Sequence, residues 1–405
     1  MDLRGFIGRN AAAFAGLVLV LSPAAAGRAE PPQLPPGYPA GQYDEAKVPA
    51  YVLPDPLVLQ DGNPVRTVRA WTRLRRPEIL RRFETEVYGR TPVGRPHGMH
   101  WKVVSVDRKA LGRTAVTSTV TLWFTRDKDG PKMDLKITLP RGKWRVPVFL
   151  APAWSHNAEA PLKRGYGLVT FDPNQVMPDR KGEPYQGSLR QRLAPVGQAA
   201  PRPDDWGALG VWAWAASRAM DYLQTDPDVD AKKVAIMGVS RYGKAAIWAG
   251  AQDERFAMVI SVEAGCGGQT IVRRGVGETV RAINTTFPYW FDDNFKAYDD
   301  RVSDLPVDWH ELIALVAPRP VYVSAAEQDL WGDPHGSFLA AKAAEPVYAL
   351  YGEKGLGVED EPPVSTPVGG FIGWHKRTGG HGMNDYDWQR FLDFADRHWG
   401  APAWG

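Results

Sequence analysis

The hydrophobic positions of this chain follow two rhythms. Residues 70–88 space their apolar side chains as a helix does, with a restart predicted at Pro77, a residue tolerated in a first helical turn. Residues 114–124 and 133–139 alternate apolar and polar, the period of antiparallel strands with one covered face. Further on the alternation stops. Residues 146–151, 166–171, 234–238, 258–262 and 320–324 are short continuous apolar runs, as expected of parallel strands covered on both sides. Helical stretches at 209–223, 241–251, 309–316, after Pro334 and at 385–398 separate them, and another strand is predicted at 347–351. Strands and helices in turn predict an α/β fold, a three-layer sandwich with a mostly parallel central sheet opened by antiparallel N-terminal strands. Between about 265 and 308 the pattern loses its period. A long irregular insertion over a sheet is more often functional than idle, and Tyr289, Trp290 and Phe291 suit it to capping a site.

The first 29 residues read as a signal peptide. Arg4 and Arg9 precede an apolar run at 11–21 that is too short to span a bilayer, and small residues at 22–29 suit cleavage near Ala26 or Ala29. A secreted or periplasmic protein without stable membrane insertion is the expectation. A proline-rich segment at 30–45 has no amphipathic period and reads as an extended wrap. Residues 46–405 are then expected to form a single domain, probing one large core: 44% of the 405 residues are apolar. A lone cysteine, Cys266, rules out an intramolecular disulfide, so the core must supply the stability. The formal charge is only +3 and its basic residues are scattered, which argues against a nucleic-acid partner. Sixteen tryptophans exceed what most cores use, and a minority can line a cleft for sugar rings. Nothing in the pattern asks for a partner chain, and a monomer is expected.

The chemistry concentrates around residues 234–243, Val-Ala-Ile-Met-Gly-Val-Ser-Arg-Tyr-Gly. An apolar strand runs into a glycine-flanked serine and straight on into a helix, the nucleophile elbow of an α/β-hydrolase fold. The elbow is modified: Tyr242 stands where the second glycine of G-x-S-x-G is usual, and Gly243 follows. Ser240 needs a base, and in chain order the acid and then the histidine follow the nucleophile. His381 lies in a glycine-rich loop before the last helix, where the base belongs. His375 reads as part of a solvated loop, His156 falls too early, and His310 reads as a structural residue on a helix. For the acid, Glu263 ends the strand after the elbow helix and Asp329 follows the next strand; both remain open, with Asp333 a weaker third. Arg241 starts the elbow helix, where a cation opposes the helix dipole, so a functional reason is favoured: oxyanion donors of this kind are worth roughly 3 to 4 kcal/mol of barrier. Lys244, one turn on, is expected on the same rim and within reach of substrate hydroxyls. Neither a metal-ligand cluster nor a dinucleotide fingerprint is recognisable, so no cofactor is expected.

Five motifs in one order resemble the glucuronoyl esterases, carbohydrate esterases that separate glucuronoxylan from lignin. They are Gly-Val-Ser-Arg-Tyr-Gly-Lys at 238–244, Glu-Ala-Gly-Cys-Gly-Gly at 263–268, Gly-Glu-Thr-Val at 277–280, Asp-Leu-Trp-Gly-Asp-Pro at 329–334 and Gly-Gly-His-Gly-Met at 379–383. The resemblance implies Ser240 as nucleophile, Arg241 as the oxyanion arginine, Glu263 as the family's usual acid and His381 as base. Lys244, Trp331 and Glu278 match positions that hold the glucuronoyl ring. Many fungal members bridge a cysteine before the serine to one after the histidine, whereas this chain has Val239 and Gly382. It therefore resembles the bacterial branch, in which an acid at the position of Asp329 accompanies or replaces the other. A serine esterase acting on esters between (4-O-methyl)glucuronoyl units and lignin alcohols is implied, with an acetyl xylan esterase or another secreted carbohydrate-acting serine hydrolase as the alternative.

Overall fold

The structure, a computed structural model, describes residues 40–92, 94–153 and 157–402. The signal-peptide reading, most of the proline-rich segment and His156 fall outside them. Among the described residues ten strands join in one sheet: β1 (His100–Asp107), β2 (Ala115–Trp123), β3 (Lys132–Pro140), β4 (Val146–Pro152), β5 (Gly167–Phe171), β6 (Val229–Val239), β7 (Met258–Val262), β8 (Val321–Ala326), β9 (Val368–Gly369) and β10 (Ile372–Arg377). Their spatial order is β1-β2-β3-β5-β4-β6-β7-β8-β10-β9. From β5 across to β10 the pairs are parallel, while β1, β2, β3 and the short β9 run antiparallel to their neighbours.

The apolar runs explain the layering. Along β4, Val148 and Leu150 enter the larger core while Phe149 and Ala151 enter the smaller one, because successive side chains leave a strand on opposite faces. The larger core packs the helices Ala208–Leu223 and Arg241–Gln252; the smaller packs the C-terminal helix Asp385–Trp399 through Trp388, Phe391, Leu392 and Phe394. This is the three-layer α/β sandwich that the alternation predicts.

Two expectations fail together. The apolar run at 347–351 is not a strand: Glu345–Leu350 is helical, with Pro346 in its first turn and Val347 and Tyr348 on one buried face. A short apolar run has no period long enough to tell strand from helix. The sheet position goes instead to β10, which contains the segment read as a solvated loop. His375 is fully buried there, and Arg377 is nearly so: Asp387 hydrogen-bonds both, meeting His375 Nε2 at 2.8 Å and balancing the Arg377 charge at 2.9 Å. β1 has no covered face to mark it, with Val103, Val104 and Val106 all exposed, so its pattern predicts no strand. The helical stretch near 70–88 does form, as Val68–Ala70, a wide turn at Trp71–Arg75 and Arg76–Glu86, with Pro77 in the first turn of the last piece.

The insertion at 265–308 is less open than a cap. Trp290 and Phe291 are buried, Phe291 packing 5.7 Å from Tyr88 and 4.7 Å from Phe295, so most of its aromatic surface belongs to the core. Phe287, Tyr289 and Trp290 lie beside Asp179 and Arg241, at the C-terminal edge of the parallel strands, where an α/β sheet exposes its loops for chemistry.

Candidate active site

The elbow is built by close backbone approach. Ser240 sits at φ 59° and ψ −127°, a conformation that an L residue enters only when its surroundings hold it there. Its N–H donates to Val262 O at 2.8 Å, and its carbonyl accepts from Lys244 N at 3.0 Å. A Cβ on Gly238 would lie 2.1 Å from Tyr242 O, and one on Gly243 would lie 3.0 Å from Gly238 O. The glycines at 238 and 243 are therefore the two that face each other across the turn. Tyr242 does not obstruct it: its ring turns away and packs 5.2 Å from Trp212. That contact is why the second glycine can stand one residue later than usual.

Glu263, directly after β7, and Asp329, in the loop after β8, both reach His381. His381 Nδ1 lies 2.8 Å from Asp329 Oδ2 in a hydrogen bond, and 3.3 Å from Glu263 Oε2 as an ion pair. A carboxylate only accepts, so Nδ1 carries the hydrogen and points it at Asp329, leaving Nε2 as the free base nitrogen. Glu263 spends its oxygens elsewhere: Oε1 accepts from Arg377 Nη2 at 2.7 Å and Oε2 from Gly382 N. Burial, with the nearby charge of Asp329, pushes the Glu263 carboxyl up to about 8 against these donors. Burial lowers the pKa of His381, but the hydrogen bond and charge of Asp329, aided by Glu263, outweigh it and carry the imidazole above its ordinary value. The elbow and this cluster share one edge, since the residue that accepts from Ser240 N directly precedes Glu263. Asp333 is elsewhere: it caps the helix Pro334–Ala343 and pairs with Arg274 at 2.9 Å.

Glu263, Asp329 and His381 are also the group of ligating residues whose atoms come together among the described residues, within 4.8 Å of one another. Arg377 and Gly382 engage Glu263 while His381 engages Asp329, a pairing compatible with an acid–base relay.

Arg241 opens the elbow helix as the motif predicts, and its guanidinium is held in place. Nη1 donates to Asp179 Oδ2, and the group lies 5.1 Å from the Trp290 ring and 5.6 Å from that of Phe287, which stack on each other at 3.7 Å. Asp179 also accepts from Tyr289 Oη at 2.7 Å and Trp290 Nε1 at 2.8 Å, so these two residues of the insertion hold the carboxylate that fixes this arginine. Lys244 is not on the rim. Its chain folds inward until the residue is only 4% exposed, with Nζ donating to Ala264 O at 2.6 Å, to Cys266 O and to Glu278 Oε2 at 3.4 Å. The loop carbonyls replace water around the charge, which a helical position one turn beyond Arg241 does not reveal. Glu278 also accepts from the Trp331 side chain, so Lys244, Glu278 and the partly exposed Trp331 form one cluster. Burial raises the Glu278 carboxyl pKa, opposed by Lys244.

The model of the family described as "Glucuronyl esterase, fungi" matches residues 124–352, more than half of the chain. A carbohydrate esterase, MZ0003, from an unknown prokaryotic organism is 39% identical over 402 residues, covering 88% of this chain and 91% of the relative. The chain belongs to the glucuronoyl esterase family. The structure of a glucuronoyl esterase from Solibacter usitatus superimposes with a TM-score of 0.84 at 44% identity, covering 88% of this chain and all of that one. A 4-O-methyl-glucuronoyl methylesterase from Phanerochaete carnosa is 30% identical over 74% of this chain and 72% of its own. The esterase thereby has an α/β-hydrolase fold and is a carboxylic ester hydrolase.

Sequence reasoning missed three residues of this site. Asp179 follows β5 in a loop of ordinary turn residues; only the unexplained positive charge of Arg241 hinted that a carboxylate must meet it. Arg377 was hidden by the misread strand. Tyr43 was assigned to a wrap, yet it lies close enough to Asp329 for that charge, after burial, to help raise its pKa, and its neighbour Gln42 accepts from Gly277 N at 2.8 Å.

Proposed function

We infer that this esterase cleaves the bond between the carboxyl group of a (4-O-methyl)glucuronoyl unit of glucuronoxylan and a lignin alcohol, with Ser240 as nucleophile and His381 as base. The observation that carries the reading is the 2.8 Å bond from His381 Nδ1 to Asp329, which orients the imidazole at the edge where the elbow presents Ser240. The names of the relatives support the substrate class.

Ser240 Oγ gives its proton to His381 Nε2 and attacks the ester carbonyl. The oxyanion is met by the Arg241 backbone N–H and guanidinium. His381 then protonates the departing alcohol, and a water activated by the same nitrogen releases the uronic acid. Asp329 holds the tautomer and stabilises the imidazolium; Glu263 supports it from the second side. Glu278, Lys244 and Trp331 form the wall for the sugar: a carboxyl group that accepts from ring hydroxyls, a cation that opposes the effect of burial on it and an indole face for the ring. No helix among the described residues is long and apolar enough to cross a membrane. We place the mature chain outside the cytoplasm, after removal of residues up to Ala26 or Ala29, acting as a monomer without cofactor.

Purified mature chain is expected to release acid from benzyl glucuronate, and Ser240→Ala to abolish the release. Acetate set free from acetylated xylan, with benzyl glucuronate untouched, would move the protein to the acetyl xylan esterases.

A further inference from the structure

The loop that carries His381 has little packing of its own. Gly379 and Gly382 have φ values of +95° and +133°, and a Cβ built on Gly380 or Gly382 would meet nothing within 4 Å. His381 itself has a side chain 49% exposed. Three glycines, two of them in open space, leave the chain many conformations, and holding one of them costs backbone entropy. Something outside the loop must select the geometry that puts His381 against Asp329.

A single buried guanidinium meets this loop along its whole length. Arg377, the last residue of β10, donates from Nη1 to Thr378 O at 2.8 Å, and from Nη2 to Gly380 O at 3.0 Å, Gly382 O at 2.7 Å and Glu263 Oε1 at 2.7 Å. Its Nε donates to Asp387 Oδ2 at 2.9 Å, inside the first turn of the C-terminal helix. Asp387 is fixed in turn, accepting from Asn384 N at 2.8 Å and holding His375 Nε2 at 2.8 Å, while His375 Nδ1 meets Tyr322 Oη at 3.0 Å. The two ends of the histidine loop are thus pinned to each other through the Arg377–Asp387 pair, and its middle is pinned to the acid beside the elbow. Arginine suits the task because its planar fork presents five N–H donors in fixed directions.

We propose that Arg377 is a positioning residue for the hydrolysis, a non-covalent tether that holds the His381 loop against Glu263 and Asp387. Deepening the reading of the site given above, this rests on His381 being the base. Arg377 touches no reacting atom. It acts through the carbonyls of Thr378, Gly380 and Gly382, so its loss should slow the chemical step and leave sugar binding at Lys244, Glu278 and Trp331 in place.

The test compares Arg377→Met and Arg377→Lys with wild type in the full mature chain on benzyl glucuronate, with Ser240→Ala as the control and the folded fraction measured by near-ultraviolet circular dichroism. Arg377→Met is expected to lower kcat per folded molecule about a hundredfold with KM within about threefold, the loss typical of a catalytic group displaced by around 1 Å. Lysine keeps the charge beside Glu263 and Asp387 but cannot brace three carbonyls, so Arg377→Lys should fold and still lose about tenfold in kcat. It decides the matter if the methionine variant does not fold. In a Glu263→Gln background, where the tether has lost an anchor, the Arg377→Lys factor should shrink. A kcat for Arg377→Lys within about twofold of wild type, or an equal factor in both backgrounds, would overturn the tether. If Ser240→Ala were as active as wild type, the reading of the site would fail instead; with that control dead, the arginine results bear on Arg377 alone.

Discussion

Two carboxylates meet one imidazole here, and their surroundings divide the work between them. Asp329 takes the Nδ1 hydrogen, whereas Glu263 is bound by Arg377 and Gly382 and is pushed up to about 8 by burial and by the charge of Asp329. Asp329→Asn should therefore lower kcat by about a hundredfold or more, and Glu263→Gln by no more than about tenfold, in steady-state assays on benzyl glucuronate. The pH profile carries the same distinction. In the proposed mechanism His381 acts as a neutral base, so kcat/KM should rise with pH through its pKa, which Asp329 holds above the ordinary histidine value. Removing the Asp329 charge lowers that pKa, so the acidic limb of the profile should move to lower pH while the plateau falls. An unmoved limb in Asp329→Asn would return the acid role to Glu263. The sequence named both acids and could not rank them, because the deciding fact is which oxygens are already occupied by other donors. Arg241 offers a parallel case. Asp179→Asn should cut kcat roughly tenfold, by freeing a guanidinium that one carboxylate and two rings now hold, while KM changes little.

Elements are legible to the extent that their pattern has a period. The elbow was, since an apolar strand, a serine between small residues and a helix leave one way to fold. Gly238→Ala would drive a Cβ to 2.1 Å from Tyr242 O, a backbone atom that cannot yield without opening the turn. Destabilisation on the order of 3 kcal/mol or more is expected in denaturant titration, with activity lost even where the variant folds. The helix Glu345–Leu350 reads as a strand because its apolar run is too short to show a period, while β10 escapes notice because it carries charges whose partners, Asp387 and Glu263, lie on other elements. The N-terminal wrap was the least legible. Its backbone bonds to Gly277, and Glu45 pairs with Arg274, which in turn holds Asp333. It thus braces the segment that ends at Glu278. A chain starting at residue 48 should keep kcat within about threefold but show a severalfold higher KM, with a Tm lower by a few degrees, as the loss of roughly 1 kcal/mol implies for a large domain.

Across the whole molecule, function and stability pull on the same kind of group. Glu263, Asp292 and Glu311 are buried carboxyls that burial pushes up to about 8, and they sit in different regions: the site, the insertion and the helix Trp309–Ala314. Glu311 is matched by Arg75 at 2.8 Å and Glu263 by Arg377 at 2.7 Å. Asp292 has no such cation among the described residues: Oδ1 accepts from Phe295 N at 3.0 Å, and Oδ2 is buried without a hydrogen-bond partner among them. In the unfolded chain these groups ionise near pH 4, so at lower pH both states are protonated and the raised pKa has no effect. As pH rises from there to about 8 the unfolded state ionises first, and the folded state loses stability by comparison; above the folded pKa the loss is complete. The esterase should therefore unfold more easily at pH 9 than at pH 5.5, in the sense opposite to that of a salt-bridged surface carboxylate. Asp292→Asn keeps the Oδ1 acceptor and removes the ionisable proton, so it should recover more than about 1 kcal/mol of stability at pH 9 and little at pH 5. Urea titrations of both proteins at the two pH values check this, and equal differences at both would show that Asp292 does not contribute to the loss. The glucuronate assay at pH 9 then tells whether the stabilised variant keeps its kcat, as its distance in sequence from the His381 loop and its burial within the insertion lead one to expect.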